Sequence, residues 1–165
     1  MGLIASTTMA GLGTALYRRS DPDHVSRSYS LGTQRAIGRR MPPSGVLTYP
    51  EITAHLIRYQ PNDATRALYT DSVPGYLLVD WKCTHLGCRV PPCESSAWFE
   101  CLCHGVRYNQ IGEYKFGPAV RGFDRYATRL IVGDELVADT RFRIPGPPRG
   151  TNTIDNPPSG PHCVG

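Results

Sequence analysis

The chain has 165 residues, 40% hydrophobic and 19% charged, enough to bury the core of one domain and too few for two full ones. Its 17 glycines and 15 prolines argue against a long helical bundle, and the apolar content excludes a chain disordered throughout. The net charge of +4 arises between residues 18 and 40, where six arginines face two aspartates. No basic stripe with interleaved aromatics appears elsewhere, so nucleic acid is not the expected partner and a membrane surface is.

Residues 1–17 carry no charge and run directly into Arg18 and Arg19. A 17-residue helix reaches about 25 Å, short of the ~30 Å hydrocarbon core, so this segment is expected to be a partial membrane anchor, the end of a longer apolar stretch. No positive residue precedes it, as a secretory signal requires. Residues 18–45, polar, Arg-rich and ending in Met41-Pro42-Pro43-Ser44-Gly45, read as a linker or hinge. Short β-type runs follow at Val46–Tyr49, His55–Tyr59, Tyr76–Trp81, Ala97–Cys101, Glu113–Phe116 and Arg129–Val132, with turn residues between them. Gly133-Asp134 between Leu130-Ile131-Val132 and Glu135-Leu136-Val137 marks a hairpin with a two-residue primed turn. A single short helix is expected at 62–69, and residues 145–165, rich in Pro, Gly, Asn and Ser, read as a loose tail. The expected fold is therefore an all-β, mainly antiparallel domain over residues 46–144.

Two clusters hold the chemistry: Cys83-Thr84-His85-Leu86-Gly87-Cys88 and Cys101-Leu102-Cys103-His104-Gly105. A Cys-x-His in one loop and a Cys-x-x-His in another present two thiolates and two imidazoles to one metal centre. Two Cys and two His also form a zinc set. Zinc modules, however, usually keep like ligands together on one turn, whereas here each loop offers one of each kind. That division suits a two-iron cluster in which one iron takes both thiolates and the other both imidazoles. His24, His55 and His162 lack metal spacing and read as surface or loop residues, and Trp81 and Trp98 as core. Cys93 and Cys163 fall outside the motif; they could form a second disulfide fastening the tail to the Pro91-Pro92 loop, but the expectation is that they remain free.

The pattern resembles the Rieske iron-sulfur proteins, and the extra Cys88 and Cys103 resemble the subgroup found in cytochrome bc complexes. The resemblance implies an antiparallel β-sandwich head with a cluster-binding subdomain and one [2Fe-2S] cluster. Carried over, Cys83 and Cys101 bind one iron, and His85 and His104 the other. Cys88 and Cys103 match the disulfide joining the two loops, the alternative being two buried free thiols. Gly117-Pro118-Ala119 resembles the loop that covers such clusters, with Val120 in place of a second proline. Tyr108 matches a tyrosine near the cluster, but Val106 stands where a serine is usual. Leu86 would shield the cluster.

The implied function is electron transfer from quinol, met by His104 with His85 in a secondary role, to a c-type haem, next to a cytochrome b subunit. Two ferric ions, two sulfides and two thiolates balance to zero, so this cluster accepts an electron more readily than one with four thiolates. The added negative charge favours proton uptake by the imidazoles, which suits quinol, a donor of both. With one sulfur hydrogen bond missing at Val106, menaquinol fits better than ubiquinol. A disulfide implies an oxidising compartment, hence a membrane-associated protein with its head on the periplasmic or extracytoplasmic side. Arg18-Arg19 points the other way by the positive-inside rule, a conflict that further upstream anchor sequence would resolve. The alternatives are a soluble Rieske carrier or small subunit of another oxidoreductase, and a zinc-stabilised interaction module.

Overall fold

Leu77-Leu78-Val79 lacks the alternation of a half-buried strand because both of its faces are covered. The structure, a computed structural model, describes residues 28–164. In it β4 (Tyr76–Asp80) and β3 (Ala54–Arg58) lie inside a six-stranded sheet with β1 (Ser28–Thr33), β2 (Val46–Tyr49), β8 (Arg125–Ile131) and β9 (Glu135–Ile144). The order is β1-β9-β8-β4-β3-β2, antiparallel throughout. Leu56 and Leu78 project into one apolar cluster with Leu31, Ile37, Tyr49, Tyr126 and Leu136. Their neighbours Ile57, Leu77 and Val79 project into a second with Phe99, Tyr108, Ile111 and Phe123. Above that second face sits a three-stranded sheet of β5 (Phe99–Cys101), β6 (Val106–Tyr108) and β7 (Tyr114–Phe116). This small sheet carries the second cysteine–histidine cluster.

The short helix falls where the sequence places it. α2 (Asp63–Leu68) is opened by a reciprocal capping box in which Asn62 accepts from the Thr65 amide and the Thr65 hydroxyl accepts from the Asn62 amide. The β8–β9 hairpin forms, but its ladder closes at Ile131↔Glu135, leaving Val132-Gly133-Asp134 as a three-residue connection. Gly133 and Asp134 both take the left-handed conformation expected of them (φ 81° and 64°).

Between Ser28 and Arg40 the linker reading is corrected. β1 pairs with β9, and α1 (Gln34–Arg40) follows it, capped by the Thr33 hydroxyl accepting from the Ala36 amide. Leu31 and Ile37 are the anchors, both buried in the core, and two apolar residues in an Arg-rich stretch were too few to mark an element in the composition. The expected anchor over residues 1–17, residues 18–27 of the linker and His24 lie outside the described residues. Among the described residues no helix is long and apolar enough to cross a membrane.

The tail reading is corrected too. Residues 146–164 form little regular structure, yet they run as a belt across the small sheet. Gly146 donates to Asp124, Pro147 accepts from the Gly122 amide, and the Thr153 amide reaches the buried Glu113 carboxylate. The Val164 amide donates to the buried Glu100, and Arg107 donates to the Val164 carbonyl. Gly146 has to be glycine because a Cβ there would collide with the Gly122 and Phe123 carbonyls. The belt ends at Cys163, which is disulfide-bonded to Cys93 with Cα atoms 5.9 Å apart, so the expected free pair is overturned.

His55 is a core residue, not the surface or loop histidine expected. It is fully buried on β3, and since the Val90 carbonyl 3.0 Å away can only accept, Nε2 carries the proton while Nδ1 accepts from the Thr48 hydroxyl. Burial holds the imidazole below its ordinary value, with Arg89 adding to the effect and the Val90 carbonyl opposing it. The unfolded chain therefore binds a proton that the folded one refuses, and stability falls as pH drops below about 6.5. The thermal midpoint should decline from pH 7 to pH 5, more steeply than in a His55→Gln chain; equal slopes would contradict this origin.

Candidate metal centre

The two loops are built alike. In the first, after β4, the Gly87 amide returns to the Cys83 carbonyl at 2.8 Å; in the second, between β5 and β6, the Gly105 amide returns to the Cys101 carbonyl at 3.0 Å. Gly87 (φ 80°) and Gly105 (φ 68°) each close their turn in the left-handed region. Each turn sinks its first cysteine into the core and lifts its histidine towards solvent. Cys88 and Cys103 then tie the loops together as a disulfide, with Cα atoms 6.7 Å apart.

This brings like beside like. Cys83 and Cys101 are free, buried thiols in contact with each other. Burial pushes the Cys101 thiol up, with the Cys103 backbone amide opposing and the neighbouring Cys83 adding to it, so two thiolates here call for a cation between them. His85 and His104 pack edge to face with ring centres 4.8 Å apart. Among the described residues His85 Nδ1 is buried without a hydrogen-bond partner, an orphaned donor–acceptor that a metal would satisfy. Paired thiols behind paired imidazoles fit a two-iron cluster with different ligands on its two irons. Among the described residues, two other groupings of close ligand atoms, Cys88-Cys101-Cys103 and Cys93-Glu100-Cys163, each contain a disulfide, whose sulfurs are not thiolates.

Tyr108 reaches this centre as the sequence indicates. Its hydroxyl lies 3.3 Å from Cys83 Sγ and accepts from the Thr84 amide at 3.1 Å. The Thr84 hydroxyl donates to the Arg121 carbonyl at 2.7 Å, which leaves the tyrosine hydrogen for the Thr84 oxygen or the sulfur. Burial raises the Tyr108 phenol, so it stays a neutral donor, and its ring stacks on Phe123. Val106 is fully buried and offers no hydroxyl. Gly117 packs directly on this strand: a Cβ there would lie 2.8 Å from Val106 Cα. In the two loops Leu86 (71%), Leu102 (72%) and His104 are all exposed. Trp98 is core as expected, whereas Trp81 is half-buried with Arg89 stacked on it.

Thr84 was missed in the sequence although it lies within the first motif. Arg149, Glu100 and Glu113 were missed as well: beside a local partner in Ser96 and Asn109, the two glutamates bind the belt 40 or more residues away, and Arg149 binds Ala119 and Gly117 about 30 residues away.

Paired thiols, paired imidazoles and a disulfide-tied pair of loops define an iron-sulfur protein of the two-iron class. The Rieske [2Fe-2S] domain family matches residues 53–127. Cytochrome b6-f complex iron-sulfur subunit 2 of Nostoc sp. is 34% identical over 121 residues, covering 72% of this chain and 68% of that protein. The chain accordingly belongs to the Rieske proteins of the cytochrome bc complex type, and its cofactor is a [2Fe-2S] cluster. The b6-f complex iron-sulfur subunit of Synechococcus elongatus is 30% identical over 98 residues, 53% of this chain and 54% of that one. Apart from the Nostoc subunit 2, the chain spans about half, or less, of the curated relatives cited first by similarity. Among solved structures, the plasma membrane Rieske protein of Synechocystis is 24% identical, with a TM-score of 0.46 over 67% of this chain and 97% of that one. The soluble domain of Rieske protein II from Sulfolobus acidocaldarius is 18% identical, with a TM-score of 0.48 over 79% and 84%.

Proposed function

We propose that the chain is the Rieske subunit of a quinol:cytochrome c reductase, taking an electron from quinol, with release of its proton, and passing it to a c-type haem. Cys83 and Cys101 would hold one iron, and His85 and His104 the other. One observation carries the reading: the imidazoles are paired, His104 is exposed in loops that also expose Leu86 and Leu102, and the paired thiols lie buried. Relatives named as subunits of cytochrome b6-f complexes support it. When bound, the [2Fe-2S] cluster supplies a one-electron acceptor. The solvent-facing nitrogen of His104 receives the quinol hydroxyl's hydrogen bond and then its proton. Leu86 and Leu102 exclude water from that contact and present an apolar face to a cytochrome b subunit, with which the quinol pocket would be shared. The protein would be membrane-associated, with its head on the extracytoplasmic side, where Cys88–Cys103 and Cys93–Cys163 persist.

Tyr108 and Val106 set the potential in opposite ways. A hydrogen bond to Cys83 Sγ stabilises the more negative, reduced state, so Tyr108→Phe should lower the midpoint by about 60 mV, the equivalent of one such bond. Val106→Ser should raise it, and its absence here is the argument for menaquinol as donor. Potentiometry on the two variants checks both signs.

The test of the whole reading is reduction of c-type haem by quinol in membranes of cells lacking the chain. The rate should collapse, return with the wild-type chain and stay low with His104→Gln. An unchanged rate without the chain would favour a carrier in another oxidoreductase.

A further inference from the structure

The segment Gly117-Pro118-Ala119-Val120 lies against the second cluster loop but belongs to no sheet. Its Gly117 is in contact with Gly105 and Val106, Ala119 is buried in the same apolar cluster as Cys83 and Cys101, and the Arg121 carbonyl just beyond it takes the Thr84 hydroxyl of the first loop. What holds this cover down comes largely from elsewhere in the chain. Arg149, on the C-terminal belt, donates from Nε to the Ala119 carbonyl at 2.7 Å and from its guanidinium end to the Gly117 carbonyl at 3.2 Å. The Tyr114 hydroxyl donates to the same Gly117 carbonyl at 2.6 Å, and the Arg149 guanidinium stacks 4.5 Å over the Tyr114 ring. Arg149 is itself held in a tight turn: Pro148 bridges to Arg121, the Thr151 amide and hydroxyl return to the Pro148 carbonyl, and Gly150 takes φ 86°.

We propose that Arg149 and Tyr114 form a clamp by which the C-terminal belt keeps the 117–120 cover closed over the cluster site. Both are positioning residues: they touch the cover, not the reacting atoms. The planar guanidinium suits the task because it meets two carbonyls and an aromatic face at once, which a lysine cannot do. The inference rests on the reading that the site beneath the cover holds the cluster.

The double variant Tyr114→Phe/Arg149→Lys keeps the ring and the charge and removes the clamp. In the full chain, amide hydrogen exchange at Gly117, Ala119 and Val120 should accelerate about tenfold, as expected when the cover's carbonyls lose the donors that anchor them. Loss of the visible iron-sulfur absorbance to a chelator should accelerate by a similar factor, with the global unfolding midpoint nearly unchanged and Arg149→Lys alone intermediate. Unchanged exchange in the cover would overturn the clamp. Faster exchange with unchanged cluster loss would overturn the cover's role. A wild-type chain with no iron would instead sink the cluster reading, and the exchange rates would still decide the clamp.

Discussion

A Cys101→Ser chain should carry no two-iron cluster and show none of its visible or paramagnetic signals, yet still fold. Cys101 ends β5, its thiol buried beside that of Cys83, so the substitution removes one of the two thiolates proposed to hold an iron while changing little volume. A hydroxyl in that place is a poor ligand for iron, and under the proposed ligation Cys83 alone would not hold it. The fold should survive because the β5–β6 ladder and the Cys88–Cys103 bond do not depend on the Cys101 sulfur. Iron and sulfide content, with far-ultraviolet circular dichroism as the control for folding, makes the comparison. A Cys101→Ser chain that kept a full cluster would remove Cys101 from the ligand set.

Breaking the second disulfide should cost stability more than it costs the cluster. Cys93 and Cys163 are 70 residues apart, and closing a loop of that length in the unfolded chain is worth about 4 kcal/mol, against about 3 kcal/mol for the 15-residue Cys88–Cys103 loop. A Cys93→Ser/Cys163→Ser chain, with no free thiol left at that site, should unfold at markedly lower denaturant concentration. Its belt would remain tied by Glu100 and Glu113, so the midpoint potential should move little. Cys88→Ser/Cys103→Ser should show the reverse, since that bond joins the loops bearing His85 and His104. Equal denaturation midpoints for the wild type and the Cys93/Cys163 variant would show that the belt contributes nothing through its disulfide.

The features legible in the sequence are those encoded over a few residues. The paired Cys–His spacings announced the metal centre, residues 62–69 the helix α2, and Gly133-Asp134 the hairpin. The site's tyrosine was legible from its place after the second motif. The features that escaped depend on partners far along the chain. β1 is a strand only because β9 is there to pair with it, and the belt is ordered by partners outside it, among them Asp124, the buried carboxylates Glu113 and Glu100, and Cys93. A Pro- and Gly-rich segment looks loose when its hydrogen-bond acceptors are 22 to 64 residues away. His55 was misjudged for the same reason: its burial is set by Val90 and Phe99, not by its neighbours in β3.

The folded domain includes β1 and α1, so it begins upstream of residue 46. The most direct measurement is a potentiometric titration of the full chain at several pH values, followed by optical and paramagnetic resonance spectra with iron and sulfide counted. Two irons and two sulfides per chain are predicted, with a midpoint in the Rieske range of about −150 to +300 mV that falls as pH rises, because electron and proton are taken up together. A colourless protein with one metal per chain, or a cluster whose midpoint ignores pH, would contradict the account.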